Sequence, residues 1–305
     1  MLKQRTIKEV IKSTGIGLHS GKKVYLTFYP AGADHGIVFR RSDISGAPGI
    51  KVSATSVVST QLATTISTDE MPEANISTVE HVMAALCGLG IDNILIEVSA
   101  PEVPIMDGSS APFVYLLQSA GIVEQDAPKR FIKIKKAVEY RHEDKFAKLL
   151  PHDGFMLDFT IDFNHPVLDQ TAPRHVCEFS SQYFIEEISR ARTFGFMRDL
   201  EKMRELNLAL GGSVDNAIVV DDYRILNKDG LRYQDEFVRH KVLDAVGDLY
   251  QLGYPILGKF VGYKAGHMMN NMLIRELVKD SSAYEFVTFE DALESPVNYF
   301  SPAWN

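Results

Sequence analysis

The chain has 305 residues, 45% of them hydrophobic and 24% charged, which is long enough for two domains and too apolar for a disordered protein. Lys and Arg total 32 against 40 for Asp and Glu, and the net charge of −8 argues against general nucleic-acid binding. Its two cysteines exclude a disulfide scaffold, and the lack of a long apolar run or signal-peptide core predicts a cytoplasmic protein with no integral membrane segment.

Strand and helix signals are mixed in the first part of the chain. Runs of β-branched and aromatic residues predict strands over Val24–Tyr29 and Ile94–Val98. Helical spacing predicts one helix over Ser77–Leu86, ending at Gly88, and a second helix over Ala111–Ala120. The first part of the chain is therefore expected to contain both a sheet and helices.

The segment Glu124–Lys129 is polar and contains a proline, as linkers between domains often do. We therefore predict domains at residues 1–126 and 127–305. Both cysteines, Cys87 and Cys177, are expected to be reduced thiols in the cores of these domains.

Beyond the predicted boundary, strand signals come before the helical ones. Apolar and polar residues alternate strictly over residues 155–163, which predicts a strand with one buried face. Helical spacing follows over Glu236–Leu252 and Met268–Val278. Because strands outnumber crossover helices and precede them, the predicted fold class is α+β, with layered sandwiches rather than a doubly wound parallel sheet.

Several common catalytic motifs are absent from the sequence. The glycine-rich segment at residues 15–21 misses the dinucleotide-binding spacing by one residue. The chain has no phosphate-binding loop, no nucleophile elbow of serine hydrolases and no His-Glu-x-x-His helix. Nucleotide hydrolases, serine hydrolases and metalloproteases of those types are therefore disfavoured.

One predicted helix has a row of potential metal ligands. His240 and Asp244 are four residues apart and so lie one turn apart on the same face, and Asp248 continues the row. An imidazole and a carboxylate in this relationship can both reach a Zn²⁺ ion. A charged row opposite an apolar stripe is also typical of an ordinary solvated helix face, and this helix alone favours that interpretation.

A second helix start has a glutamate directly before a histidine. Glu80 is three residues after Ser77, so its side chain could cap the helix; Thr78 is an alternative cap. Next to the potential metal ligand His81, the same carboxylate could instead take a proton from water at the metal. Taken alone, this segment favours the cap.

A third segment places His267 after a glycine, at the start of the last predicted helix, where it is either a general acid or a residue without a special role. Together the three segments supply two histidines and one aspartate as ligands, with a glutamate and a histidine for proton transfer. These are the groups that metal-assisted hydrolysis needs.

Six blocks of sequence occur in an order that resembles a known family. The blocks are residues 15–19 (GIGLH), 77–81 (STVEH), 105–109 (IMDGS), 189–195 (SRARTFG), 240–244 (HKVLD) and 266–267 (GH). The chain thereby resembles the UDP-3-O-acyl-N-acetylglucosamine deacetylases, zinc enzymes of the first committed step of lipid A synthesis in Gram-negative bacteria. The likeness covers the chain up to the tail at residues 295–305.

The resemblance implies a role for each matching residue. His81, His240 and Asp244 would bind one Zn²⁺ per chain, with Fe²⁺ an alternative in the cell. Glu80 would be the general base, His267 the general acid oriented by Asp248, and Thr193 the hydroxyl at the oxyanion. The implied substrate-binding residues are Lys241, Phe163, Phe194, Lys264, Lys145, Gly212, Val214, Ala217 and Leu18.

The resemblance also implies the architecture: two similar two-layer α/β sandwich domains, each with a small insertion, and an active site between them. Residues 194–220 are apolar and would form an insertion that holds the acyl chain, although by composition alone they favour an ordinary core segment. Ala63 stands where some members have a cysteine near the metal, so a thiol effect on the metal is not expected here.

Two further observations concern the partners of the chain. Residues 129–148 contain eight basic residues against three acidic ones, which weakly favours the diphosphate of a UDP-linked acylated amino sugar; a solvated sheet face would look the same. Alternatives are a zinc amidohydrolase for another N-acyl substrate and a non-catalytic binding module. We expect a monomer that binds no nucleic acid.

Overall fold

The computed structural model describes residues 1–300, apart from the side chains of residues 201 and 202. Residues 1–128 form nine strands and two helices. The strands are β1 (Lys3–Ile7), β2 (Ile11–Ile16), β3 (Lys23–Pro30), β4 (Ile37–Arg41), β5 (Ile50–Lys51), β6 (Val57–Ser59), β7 (Thr65–Ile66), β8 (Ile94–Val98) and β9 (Ile122–Pro128), and the helices are α1 (Glu80–Leu89) and α2 (Ala111–Ser119). The main sheet has the order β2-β3-β8-β4-β5, with β4 and β8 parallel.

The rest of the described chain forms a second, larger sheet and four helices. The strands of this part are β10 (Phe131–Ile134), β11 (Val138–His142), β12 (Lys145–Leu150), β13 (Phe155–Thr160), β14 (Arg174–Glu178), β15 (Phe194–Phe196), β16 (Ile218–Val220), β17 (Ile256–Tyr263) and β18 (Tyr284–Val287), of which β15 and β16 form a separate two-stranded sheet. Its helices are α3 (Ser181–Tyr183, followed by a π-helical turn), α4 (Met197–Glu205), α5 (Glu236–Leu249) and α6 (His267–Lys279). The large sheet has the order β11-β12-β17-β10-β18, and β13 pairs with β17 and β14. The predicted α+β class is confirmed.

The apolar residues of the alternating segment at residues 155–159 share one buried face of strand β13, as predicted. On β13, Phe155, Leu157 and Phe159 are buried, and all three face the core. The strand ends at Thr160, however, and does not continue to Phe163 as the sequence pattern predicts. The early end leaves Phe163 outside the sheet, where its side chain borders a cavity of about 600 Å³.

Helix α1 begins three residues later than predicted. Thr78 has a positive φ of 59°, which a residue inside a helix cannot adopt, so the helix begins at Glu80. At the other end, Gly90 with φ 67° closes the helix one residue after Leu89, rather than Gly88. The other three predicted helices agree with their positions in the structure to within about three residues.

Helices α1 and α5 are the most deeply buried helices of the described chain. Helix α1 packs on α2 and α5, while α5 and α6 pack on the large sheet. All ten residues of α1 are buried, and so are twelve of the fourteen residues of α5. A polar row on α5 is therefore not a solvated face, and this alternative from the sequence is excluded.

The predicted boundary between residues 126 and 127 falls inside strand β9, which pairs with β1. The division into two domains remains a prediction.

Lys129 does not belong to a basic substrate-binding surface: it is fully buried, and its Nζ lies 2.6 Å from Asp92 Oδ1. Cys87 and Cys177 are buried free thiols, as expected, and burial raises the pKa of each to about 12. No helix within residues 1–300 is long and apolar enough to span a bilayer.

Candidate metal and catalytic site

Three potential metal ligands converge where α1 meets α5. His81 lies on α1, whereas His240 and Asp244 lie one turn apart on α5. Asp244 Oδ1 lies 3.6 Å from His81 Nε2 and 3.3 Å from His240 Nε2. All three side chains are almost completely buried, and one potential ligand atom from each lies within 4.8 Å of the others. The sequence prediction that these residues meet is therefore confirmed.

The protonation states of these groups suit a cation. Burial lowers the pKa of His240 to about 3, and its Nδ1 lies 3.0 Å from the carbonyl oxygen of Ala191, which leaves the lone pair on Nε2. Burial alone would raise the pKa of Asp244, but His240 and Lys241 outweigh it and hold this pKa well below its usual value. The cluster thus presents the neutral imidazole of His240 and an ionised carboxylate.

One oxygen of this carboxylate has no hydrogen-bond partner. Asp244 Oδ2 accepts a hydrogen bond of 2.7 Å from Lys241 Nζ, but the buried Oδ1 accepts none within the described part of the chain. A buried carboxylate oxygen without a partner is costly, and a cation between it and two imidazoles would remove that cost. Two histidines and a carboxylate with a free fourth position are also the donor set of many catalytic zinc sites. The residues present fit a divalent ion.

Glu80 lies beside this cluster and does not cap its helix. The residue before α1 is Val79, with no capping side chain, so both capping alternatives from the sequence, Ser77 with Glu80 and Thr78, are wrong. Glu80 Oε2 instead accepts a hydrogen bond of 3.0 Å from the backbone N–H of Thr64. Burial raises the pKa of this carboxylate.

His267 begins helix α6 and faces the same chamber. Its Nδ1 lies 2.8 Å from Asp248 Oδ2, and its Nε2 lies 3.9 Å from Glu80 Oε1. Burial by itself would lower the pKa of His267, but Asp248 and Glu80 outweigh burial and raise it to about 10. A cationic imidazole therefore stands across the chamber from the metal-ligand cluster.

Sequence reasoning missed two residues that support the carboxylates of Glu80 and Asp248. Thr64 donates its backbone N–H to Glu80 and its hydroxyl, at 2.7 Å, to Asp248 Oδ1. Asn270 donates its side-chain amide to Asp248 Oδ2 at 2.9 Å. Asn270 lies three residues after His267 on α6, and this spacing was a signal that could have found it. Nothing in the local sequence marks Thr64.

A chamber of about 600 Å³ opens above the cluster, and six of the nine residues predicted to bind the substrate line it: Leu18, Lys145, Phe163, Phe194, Lys241 and Lys264. Phe163 and Phe194 form one wall, with ring centroids 5.3 Å apart. Lys145 and Lys264 lie towards the opening, where Lys264 Nζ contacts Asp144 and Asp162 at 2.8 and 2.9 Å. These two aspartates were not predicted, and they hold the pKa of Lys264 above its usual value.

An apolar passage of about 320 Å³ leads from the chamber along the predicted insertion. Among the residues that line it are Leu18, Phe194, Gly212, Val214 and Ala217. Within residues 194–220, strands β15 and β16 pair in parallel, and α4 lies between them in sequence. Residues of the insertion therefore line a cavity, while Ile218 and Val220 on β16 belong to the buried core.

Comparisons with known proteins agree with this geometry. The family model described as UDP-3-O-acyl N-acetylglycosamine deacetylase matches residues 4–279. The chain is 58% identical to a UDP-3-O-acyl-N-acetylglucosamine deacetylase of Hahella chejuensis over 302 residues, 99% of either chain. A protein of the same name from Xanthomonas euvesicatoria is 56% identical over 305 residues, all of both chains, so the likeness also covers the tail that the six sequence blocks left out. The chain belongs to the UDP-3-O-acyl N-acetylglycosamine deacetylase family.

Proposed function

We propose that the chain hydrolyses the N-acetyl group of UDP-3-O-(3-hydroxyacyl)-N-acetylglucosamine. Its relatives are named as deacetylases of such a substrate, and the family resemblance assigns this reaction to lipid A synthesis. Water adds to the acetyl carbonyl, the C–N bond breaks, and acetate and a free 2-amino sugar nucleotide leave. The observation that carries the proposal is the buried set of His81, His240 and Asp244 beside Glu80 and His267, in a chamber continuous with an apolar passage.

His81, His240 and Asp244 would hold one divalent ion per chain. Zn²⁺ suits two imidazoles and one carboxylate, and Fe²⁺ accepts the same donors. When bound, such an ion polarises a carbonyl group and lowers the pKa of coordinated water. Lys241, hydrogen-bonded to Asp244, would keep the carboxylate oriented and add positive charge at the chamber wall.

Glu80 would act as the general base. Its carboxylate faces the chamber, and burial raises its pKa towards the range in which a base is effective at neutral pH. The hydrogen bond from the N–H of Thr64 to Oε2 leaves Oε1 directed towards His267. We infer that one carboxylate oxygen is held in place while the other takes the proton from the attacking water.

His267 would act as the general acid. The leaving sugar nitrogen needs a proton, and the imidazolium of His267 supplies it from Nε2 while Asp248 holds Nδ1. Asp248 in turn accepts hydrogen bonds from Thr64 and Asn270, so its carboxylate is fixed on both oxygens. We infer that the elevated pKa of His267 keeps the acid charged at neutral pH.

Thr193 would stabilise the oxyanion that forms at the acetyl carbon. Its N–H donates a hydrogen bond to the carbonyl oxygen of Gly108, and its carbonyl oxygen accepts one from the N–H of Ile218, both at 2.8 Å. Its backbone is therefore fixed on both sides. A hydroxyl on so well-held a residue would be preorganised, and loss of one such donor typically costs roughly 3–4 kcal/mol in the transition state.

The remaining groups would bind the rest of the substrate. The acyl chain would enter the apolar passage past Leu18 and Val214, and the aromatic wall at Phe163 and Phe194 would cover the sugar. Lys145 would face the diphosphate at the chamber opening. We also propose that the site lies between domains at residues 1–126 and 127–305, because its ligands come from α1 and α5.

The test is acetate release from the UDP-linked acylated sugar, measured with and without a chelator, together with metal analysis. The proposal expects about one Zn²⁺ per chain, loss of activity on chelation and recovery when Zn²⁺ returns. Equal activity on N-acetylated substrates that lack the UDP group would favour a less selective amidohydrolase instead. A chain that holds no metal and releases no acetate would be a binding module.

A further inference from the structure

Glu102 is a buried carboxylate outside the catalytic cluster. Its side chain is 2% exposed, and none of the basic side chains that the structure describes forms an ion pair with it. Its oxygens instead accept hydrogen bonds from the backbone N–H groups of His19 (2.8 Å) and Ser20 (2.9 Å) and from the hydroxyl of Thr78 (3.3 Å). Backbone N–H groups therefore provide most of the compensation for its charge.

The backbone at residues 17–21 folds around this carboxylate. The N–H of Gly21 donates to the carbonyl oxygen of Gly17 at 3.0 Å, and the N–H of Gly17 donates to Lys22 O at 2.9 Å. A Cβ atom on Gly17 would lie 2.4 Å from Glu102 Oε2, so only glycine allows the loop to approach this closely. The carboxylate and the loop are fitted to each other.

The opposite edge of the same loop forms part of the acyl passage. Leu18 and His19 line both the chamber and the passage. Their carbonyl oxygens accept hydrogen bonds from the insertion, Leu18 O from Gly211 N at 3.0 Å and His19 O from Leu210 N at 3.1 Å. The loop is thus held between Glu102 on one side and the insertion on the other.

We propose that Glu102 is a positioning residue that fixes the loop at residues 17–21 against the insertion and thereby sets the width of the acyl passage. The inference rests on the proposed function, since it assigns the passage to the acyl chain. A glutamine at this position would leave one backbone N–H of the loop facing an amide NH₂ group, and an unpaired buried N–H destabilises the local conformation. The loop, still hydrogen-bonded to the insertion, would then move towards it and narrow the passage.

The experiment compares Glu102→Gln with the wild-type enzyme on two UDP-linked substrates, one with a long 3-hydroxyacyl chain and one with a short chain. The ratio of kcat/KM for the long chain to that for the short chain is expected to fall by about fivefold or more, the effect of one lost buried hydrogen bond. A loss of folded protein would reduce both values equally and leave the ratio unchanged. An unchanged ratio therefore overturns the inference.

Two further variants complete the test. In Gly17→Ala, the new methyl group would press on the Glu102 carboxylate without changing its charge, so the ratio of kcat/KM values should fall in this variant too. If Glu102→Gln does not fold, Gly17→Ala tests the inference in its place. Glu97→Gln is the matched control, because Glu97 lies on β8, pairs with Arg40 and does not contact the loop. Wild-type enzyme that releases no acetate from either substrate would overturn the proposed function and this inference together, whereas an active wild type with unchanged ratios would overturn this inference alone.

Discussion

Gly247 on α5 lies directly against the backbone carbonyl of Glu80 on α1. A Cβ atom on Gly247 would lie 2.0 Å from that carbonyl oxygen and 3.1 Å from the N–H nitrogen of Ala84. No side chain larger than hydrogen fits there, so the two helices touch backbone to backbone. This close approach places His81 within reach of the ligands on α5.

Gly247→Ala should weaken metal binding. The added methyl group would push α1 away from α5 and separate His81 from His240 and Asp244, since overpacked cores respond by backbone shifts. We expect zinc affinity to fall on the order of tenfold or more, measured by competition with a chromogenic chelator. Gly32→Ala, where nothing lies within 4 Å of the new Cβ, is the control and should bind zinc like the wild type.

Glu80→Ala should separate metal binding from turnover. Glu80 is not one of the three clustered ligands, so zinc content should stay near one per chain, while loss of a general base typically lowers kcat by roughly 10²–10⁴-fold. Zinc analysis and acetate release on the same sample measure both quantities. Wild-type kcat in this variant would remove Glu80 as the base.

Asp248→Asn should change the pH dependence of activity. Among the groups that raise the pKa of His267 to about 10, Asp248 has the largest effect. The variant should therefore lower the pKa of His267. Because the acid must be protonated, activity is lost as pH rises through its pKa, and the basic limb of kcat/KM should move to lower pH by about one unit or more. Asp158→Asn, which loses ion pairs with Arg174 and Lys259 instead, should leave the limb in place.

Bulky replacements in the passage should discriminate against long acyl chains. Ala217→Phe and Val214→Phe put an aromatic ring into a cavity of about 320 Å³, so kcat/KM for a long-chain substrate should fall about tenfold more than for a short-chain one. Val176→Phe is matched to Val214→Phe, because Val176 is 47% exposed and Val214 is 49% exposed but only the latter lines the passage. Equal losses on both substrates would contradict the assignment of the passage.

Much of the site was predictable because it depends on local spacing. The four-residue interval between His240 and Asp244 places both on one helix face wherever that helix lies. The order of the six sequence blocks indicated the family, and the family added Thr193 and selected the general-acid role from the two alternatives for His267. The strand alternation at residues 155–159 and the helix positions also follow from periodicity, which is a property of neighbouring residues.

Other features depended on contacts between distant segments. Periodicity cannot show whether a polar helix row faces water or another helix, and only the packing of α5 on α1 decided that His240 and Asp244 are buried. The same packing perturbs their pKa values, because desolvation requires neighbours from elsewhere in the chain. The start of α1 at Glu80 and the support from Thr64 likewise arise from tertiary structure. The sequence by itself determined which side chains are available for the chemistry, whereas the tertiary structure decided which of them meet, since a burial cost is compensated only where a fold brings partners together.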